Sequence, residues 1–238
     1  MKFIYYNIDN IAISGRGFKS ILQPYTKDSL TFNYLPNWAD NMDMSLDSAN
    51  FGDDKVQFTF AGNVGTVQNL ENIIKAFNRL SDEYAKRAQF NIIGTGSALE
   101  GLKSLNMQSN VVFHGRKPRN KMSKYYKASD FLIVSLIDKP IFSITVPAKT
   151  QTYIAAKKPI LGFINGDTAD LIHDNNLGLC AEPSNILNIA EIYSTCIKMT
   201  PIERESFTFN NDFLLQEVFN KERTINGLLQ TLISSNRY

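Results

Sequence analysis

Residues 46–183 switch repeatedly between the hydrophobic period of a strand and that of a helix, and this alternation most limits the fold. "VQFTFAG" (56–62) reads as a strand. "QNLENIIKAFNRLSDEY" (68–84) brings Leu70, Ile73, Ile74, Phe77, Leu80 and Tyr84 to helical spacing. "AQFNIIGTG" (88–96) is a strand closing on glycines, and "SALEGLKSL" (97–105) a short helix. "NVVFHG" (110–115) and "FLIVSL" (131–136) are further strands, with a helix between them in "NKMSKYYKAS" (120–129). The nearly unbroken apolar run of FLIVSL predicts burial on both faces. "PAKTQTYIAAK" (147–157) opens with Pro147 at a first helical position. "PILGFI", "DTADLIHDN" and "LGLCAE" continue the alternation to residue 182. Strand and helix repeated about five times predict an α/β fold. It is a Rossmann-like parallel sheet with helices on both faces and right-handed crossovers. Ligands of such sheets bind beyond the carboxyl ends of the strands, near the switch in strand order.

The two ends of the chain read differently. "NIAIS" (10–14) has strand character, "GFKSILQPY" (17–25) that of a short helix, and "LTFNYLPNW" (30–38) is extended. "DMSLDSANFGDD" (43–54) is polar and turn-rich, the best linker. After residue 185 the pattern is helical, in 186–199, 201–219 and 220–234. A formal net charge of +2 argues against a nucleic-acid partner. The start, "MKFIYYNIDN", lacks a signal peptide's apolar core, and "FLIVSLI" (131–137) is too short to span a bilayer, so a cytoplasmic protein is expected. Cys180 and Cys196 have no metal-ligand or redox spacing and read as packing residues.

One stretch points to a ligand. "FAGNVGTVQNLENIIKAF" (60–77) runs from an apolar strand through Gly62-Asn63-Val64-Gly65 into a helix. Unpaired amides and the helix dipole favour an anion there, and glycines let it approach the backbone. The same residues also suit a tight strand-to-helix turn with no ligand. No Gly-Lys-Ser/Thr follows, so this is not a P-loop, and "GTGSALEG" (94–101) lacks dinucleotide spacing.

Four segments in order, "FTFAGNVGTVQNLENIIKAFNRL", "FNIIGTGSALEGLKSL", "NVVFHGRKPRNKMSKYYKASDFLIVSL" and "TVPAKTQTYIAAKKPILGFING", resemble the C-terminal half of the family-4 (group 1) retaining glycosyltransferases. The resemblance is strong over residues 55–185 and extends to "IAISGRGFKSIL…YLPNWAD" (11–40). It implies one half of a GT-B architecture. Residues 1–45 would be a remnant of the N-terminal domain with the interdomain connection, 46–200 the nucleotide-sugar-binding domain, and 201–238 C-terminal helices. It implies a nucleotide-sugar donor, with UDP the expected base, and no metal or other cofactor. The branch it resembles builds capsule or O-antigen sugars, which implies proximity to the inner membrane face through the acceptor.

Carried over by position, Gly62, Asn63, Val64 and Gly65 would lie under the donor diphosphate. His114, Gly115, Arg116 and Lys117 would flank the nucleobase. Pro147, Ala148 and Thr152 would lie by the ribose and diphosphate. An arginine and a lysine that many members aim at the diphosphate are replaced here by Asn63 and Gln68, and Lys149 is the candidate substitute. Two glutamates common in the family are replaced by Ile144 and Thr152. No residue stands out as a nucleophile or general base, so none is assigned to catalysis. His173, in "LIHDNN", reads as a helix-end residue. Two functions follow: the donor domain of a glycosyltransferase, or a non-catalytic nucleotide-sugar-binding subunit or truncated remnant that needs a separate acceptor-binding chain. A sugar-nucleotide epimerase shares the architecture but needs both domains.

Overall fold

The computed structural model describes residues 2–40, 42–43, 45–52, 54–105 and 109–234. Its strands are β1 (Asn10–Ile13), β2 (Thr31–Tyr34), β3 (Val56–Ala61), β4 (Ala88–Ile93), β5 (Val111–Gly115), β6 (Phe131–Ser135), β7 (Ile160–Phe163) and β8 (Gly178–Ala181). The helices used below are α1 (Leu70–Phe77), α2 (Leu99–Leu105), α3 (Met122–Lys127), α4 (Ala148–Ala155), α5 (Asp167–Asp174), α6 (Ile186–Lys198), α7 (Asn211–Glu217) and α8 (Lys221–Ser234). Strands β3–β8 form one parallel sheet in the order β5-β4-β3-β6-β7-β8. The chain first builds outward from β3 to β5, then returns to lay β6 along the free edge of β3. The switch in strand order therefore falls between β3 and β6, where crevices form beyond the carboxyl ends.

Every residue of β3 and of β6 is buried, as the apolar run of the latter predicts. Their side chains alternate between two cores. Phe58, Phe60, Phe131 and Ile133 meet Ile73, Ile74 and Phe77 of α1 and Tyr193 of α6. Ala61, Leu132 and Val134 meet Tyr126, Tyr153 and Ile154 of α3 and α4, with Ile172, Leu214 and Phe219 behind them. On the first face the Tyr193 ring sits edge-on to Phe58 at 4.8 Å, Phe77 at 5.2 Å and Phe163 at 5.7 Å between centroids. Such pairs contribute about 0.5–1.5 kcal/mol each beyond area burial. Cys180 and Cys196 are free thiols, and burial pushes both up to about 12, which leaves them inert packing groups.

Three segments depart from the sequence pattern. The helix expected over 68–84 stops at Phe77, and a second turn starts at Asp82, where the Ser81 hydroxyl accepts from the Tyr84 amide at 3.4 Å. The helix expected over 201–219 breaks between Glu205 and Asn211, after a capping box of Thr200 and Glu203. The expected linker, 43–54, is pinned to the sheet outside positions 44 and 53, which lie beyond the described residues. The Ala49 amide donates to Lys124 O at 2.9 Å, and Gln57 and Gln89 donate to Gly52 O and Phe51 O.

The two ends of the chain pack on each other. β1 and β2 form a separate parallel pair, and α8 lies against it. Gly227 of α8 meets Leu35, whose Cδ2 would lie 2.6 Å from a Cβ at that position. The Thr224 hydroxyl donates to Pro36 O at 3.3 Å and the Ala39 amide to Phe219 O at 3.1 Å. Large apolar side chains nonetheless stand open here: Phe3, Ile4, Ile21, Leu228, Leu229 and Leu232.

The Tyr193 hydroxyl is buried without a hydrogen-bond partner among the described residues. Tyr193→Phe is therefore expected to leave stability unchanged or raise it by about 1–3 kcal/mol, since a lone buried hydroxyl carries a desolvation cost. Tyr193→Ala is expected to lower stability by about 3–5 kcal/mol. Urea denaturation of both variants checks the pair.

Candidate functional site

The loops that leave β3 and β4 run against each other and are knitted by their backbones. The Gly62 amide donates to Ile93 O at 2.9 Å, Val64 to Thr95 O at 3.0 Å, and Ala98 to Val64 O at 3.0 Å. This closeness explains the glycines. A Cβ at Gly94, whose φ is +145°, would lie 1.8 Å from Gly62 O, and one at Gly96 would lie 2.3 Å from Val64 O.

The same bonds correct the expected amide cradle. The Gly62 and Val64 amides are spent on the neighbouring loop. The Gly65 amide donates to Gln68 Oε1 at 3.0 Å, which also turns Gln68 inward. Val64 is fully buried in the first core. The Gly62–Gly65 turn therefore holds chain to chain with most of its donors. Among its four residues Gly62 and Asn63 remain open to solvent, while Val64 and Gly65 are buried.

Gly62 and Asn63 line a cavity of about 440 Å³ with Ile93, Gly94, Thr95, Arg116, Lys117, Arg119, Met122 and Tyr126. Its polar donors are mainly side chains. Three of them are basic, and among the described residues no carboxylate lines it. Met122 and Tyr126 give it an apolar wall. Arg119 is also ion-paired with Asp40, which lines an adjoining cavity of about 690 Å³. That cavity shares Arg119, Met122 and Tyr126 with the first and is also lined by Thr152.

Lys149 in the first turn of α4 is the least ordinary group nearby. Its Nζ lies 3.7 Å from the centroid of the Phe60 ring. The same atom lies 3.1 Å from where a Cβ of Gly62 would stand. The residue keeps some exposed surface, but Nζ is shielded from solvent and has no hydrogen-bond partner among the described residues. Burial alone pulls this lysine down to about 7.

The other expected site residues are dispersed. Arg116 and Lys117 line the cavity. His114 is turned onto the sheet instead: its Nε2 pairs with Asn91 Oδ1 at 2.8 Å, and its ring meets Phe51 at 5.1 Å. Asn91 in turn donates to Gln57 Oε1 at 2.9 Å, so the imidazole ends a buried polar row. Desolvation, and secondly Lys117, lower the pKa of His114. Gly115, at φ +65°, accepts from the Gly94 amide at 2.9 Å and lies outside the cavity lining. Pro147 caps α4 and Ala148 is exposed beside it. The Thr152 hydroxyl donates to Ala148 O at 3.1 Å within the helix. His173 sits in the last turn of α5, exposed beside Asp174.

Sequence reasoning missed Thr95, Arg119, Met122 and Tyr126. Thr95 lay in a motif that failed its dinucleotide spacing, and the other three looked like an ordinary loop and helix.

The sequence signature described as "Glycosyl transferases group 1" matches residues 55–198, more than half of the chain. The chain belongs to the group 1 glycosyltransferases. The probable glycosyltransferase WbjE of Pseudomonas aeruginosa is 26% identical over 203 residues, 80% of this chain and 50% of that protein. The putative colanic acid biosynthesis glycosyl transferase WcaI of Escherichia coli is 28% identical over 115 residues, 43% of this chain and 27% of that one. The chain thus spans half or less of the length of these relatives. Sucrose-phosphate synthase from Thermosynechococcus elongatus superposes with a TM-score of 0.76 at 16% identity, covering 99% of this chain and 61% of that one. Anabaena HepE, solved with UDP and glucose, gives 0.72 at 13% identity over 95% of this chain and 63% of that one. At such identities these structures establish the shared α/β fold. Among the described residues no helix is long and apolar enough to cross a membrane.

A lysine buried at about 7 leaves the unfolded chain holding more protons between neutrality and its ordinary value of 10.5. Stability attributable to Lys149 therefore rises with pH across that window, by up to about 1.4 kcal/mol per unit. Lys149→Met is expected to stabilise the ligand-free chain, and by more at about pH 7 than at about pH 9.5. Urea denaturation of both proteins at both pH values checks the sign.

Proposed function

We propose that the chain is the donor-binding half of a retaining group 1 glycosyltransferase that moves a sugar from a nucleoside diphosphate, UDP first among candidates, to a hydroxyl acceptor. The single observation that carries this is the cavity at the carboxyl ends of β3 and β4, lined by Arg116, Lys117 and Arg119 with no carboxylate among its described residues. A diphosphate needs such a setting, because the reaction develops charge on the leaving group. Cations along the cavity lining stabilise that charge. The phosphates lie toward Gly62, Asn63 and the cations, and the base lies against Met122 and Tyr126. Asn63 supplies one neutral donor, worth about 0.5–1.5 kcal/mol, where a charged one supplies about 1.5–3. Arg116 and Lys117 thus carry more of the holding energy than the Gly62–Gly65 turn.

The acceptor is held elsewhere, on a second domain that packs on the apolar surface formed by α8 and the first residues of the chain. UDP in the Anabaena HepE structure and the polysaccharide role in the name of the E. coli relative support a UDP-sugar donor and a polysaccharide product. A non-catalytic nucleotide-sugar-binding subunit is the second reading. Ile144 and Thr152, where the family commonly has glutamates, favour it.

Calorimetric titration with UDP tests the donor site. Binding is expected, weakened roughly tenfold or more by Arg116→Ala combined with Lys117→Ala, in line with a lost charge-assisted contact. Absence of binding by the unaltered chain would falsify the reading. Sugar transfer by the 238-residue chain alone is expected to be undetectable in a radiolabelled-sugar assay with UDP-sugar and hydroxyl acceptors. Robust turnover would place acceptor binding within this half.

A further inference from the structure

Two positions that would carry fixed cations in the family's pattern, 63 and 68, hold neutral amides here. One of them, Gln68, is already spent on the Gly65 amide. Beside the Gly62–Gly65 turn the charge comes from other elements: Arg116, Lys117 and Arg119 in the cavity lining, and one group behind it. Only one group near that turn combines a cationic head, burial and no hydrogen-bond or ion-pair partner among the described residues. It is Lys149, with Nζ over the Phe60 ring and 3.1 Å from the missing Cβ of Gly62.

This geometry is unusual for a structural lysine. A buried ammonium in a resting role is normally paired, because an unpaired one carries a large desolvation cost. Here the groups facing it are a ring on β3 and the backbone of Gly62. The titratable group closest along its own helix, Tyr153, has its hydroxyl engaged with Ala61. Burial is the cause of the shift of Lys149, and among the described residues no carboxylate pairs with it. Gly62 lines the cavity, and a Cβ there would lie 3.1 Å from Lys149 Nζ, so the buried amine sits directly behind the cavity edge.

We propose that Lys149 is the anion-binding residue of α4, pairing with a phosphate of the nucleoside diphosphate at the Gly62 edge. The phosphate's arrival then draws a proton from solvent onto the amine. This rests on the donor-site reading above. The physical logic is economical. A permanently charged residue in this spot would destabilise the empty site, whereas a lysine can stay neutral until an anion compensates its burial. An opposite charge within about 4–6 Å favours the charged form, so ligand and proton bind cooperatively. The device also selects for phosphate over the neutral nucleoside, because only an anion restores the charge.

Calorimetric titration of the 238-residue chain at about pH 8, in two buffers of different ionisation enthalpy, reads both parts at once. UDP is the anionic probe and uridine the neutral one. The unaltered chain is expected to take up close to one proton per UDP bound and none per uridine. Lys149→Met is expected to lose that uptake and at least tenfold in UDP affinity, with uridine affinity unchanged. Lys149→Arg is expected to recover part of the affinity without proton uptake, because a guanidinium is always charged. UDP binding by Lys149→Met with the affinity and uptake of the unaltered chain overturns the assignment and leaves the donor site standing. So does an equal loss for UDP and uridine, or an unaltered chain that binds UDP without proton uptake. Failure of the unaltered chain to bind either probe removes the donor site and this assignment together.

Discussion

The contact between the loops after β3 and β4 is the constraint on which the site depends. Those loops can bond backbone to backbone only because Gly62, Gly94 and Gly96 carry no side chains where the strands end. The contact fixes the height at which β3 gives way to its helix, and it thereby sets one wall of the cavity. It also consumes donors. An amide bonded to Ile93 or Thr95 is no longer available to a phosphate. A turn that looks like an anion cradle on paper is here chiefly a joint between two strands, and the basic lining of the cavity comes instead from the residues between β5 and α3.

The fold was legible because burial leaves a strong periodic trace. β6 is buried on both faces and reads as an unbroken apolar run, while α1 buries Leu70, Ile73, Ile74 and Phe77 at helical spacing. Parallel order and helices on both faces follow from those two periods alone. Helix ends were less legible, because a serine cap at Ser81 or a capping box at Thr200 interrupts a helix without disturbing its apolar pattern. The site was legible in outline only. Arg116 and Lys117, named from position, line the cavity, but the direction of the His114 ring depends on Asn91, which is 23 residues away and on another strand. No local pattern encodes that pairing. Arg119 and Tyr126 enter the cavity for the same reason, through how α3 packs beneath β3 and β4.

The polar row from Gln57 through Asn91 to His114 shows how a buried sheet tolerates polar residues. Each amide finds a partner, and the same amides reach out to hold Phe51 and Gly52. The segment that joins the two ends of the chain to the sheet is thereby tied down beside the cavity, with Asp40 upstream of it paired to Arg119. Core polarity here serves connection between units, which an apolar row in the same place could not supply.

Two kinds of incompleteness in this structure have one physical origin. Lys149 is a buried amine without a counter-charge among the described residues, and the apolar side chains of α8, Phe3 and Ile4 stand open to water. Each is a cost to the free chain that a bound partner would remove. A small anion removes the first by restoring an electrostatic balance over a few ångströms. A large surface removes the second by excluding water over a wide area. Because the two costs differ in kind, they respond to different conditions. The first depends on pH, and the second on temperature and salt type. The free chain therefore carries one electrostatic and one apolar cost in separate places, and each can be shifted without the other.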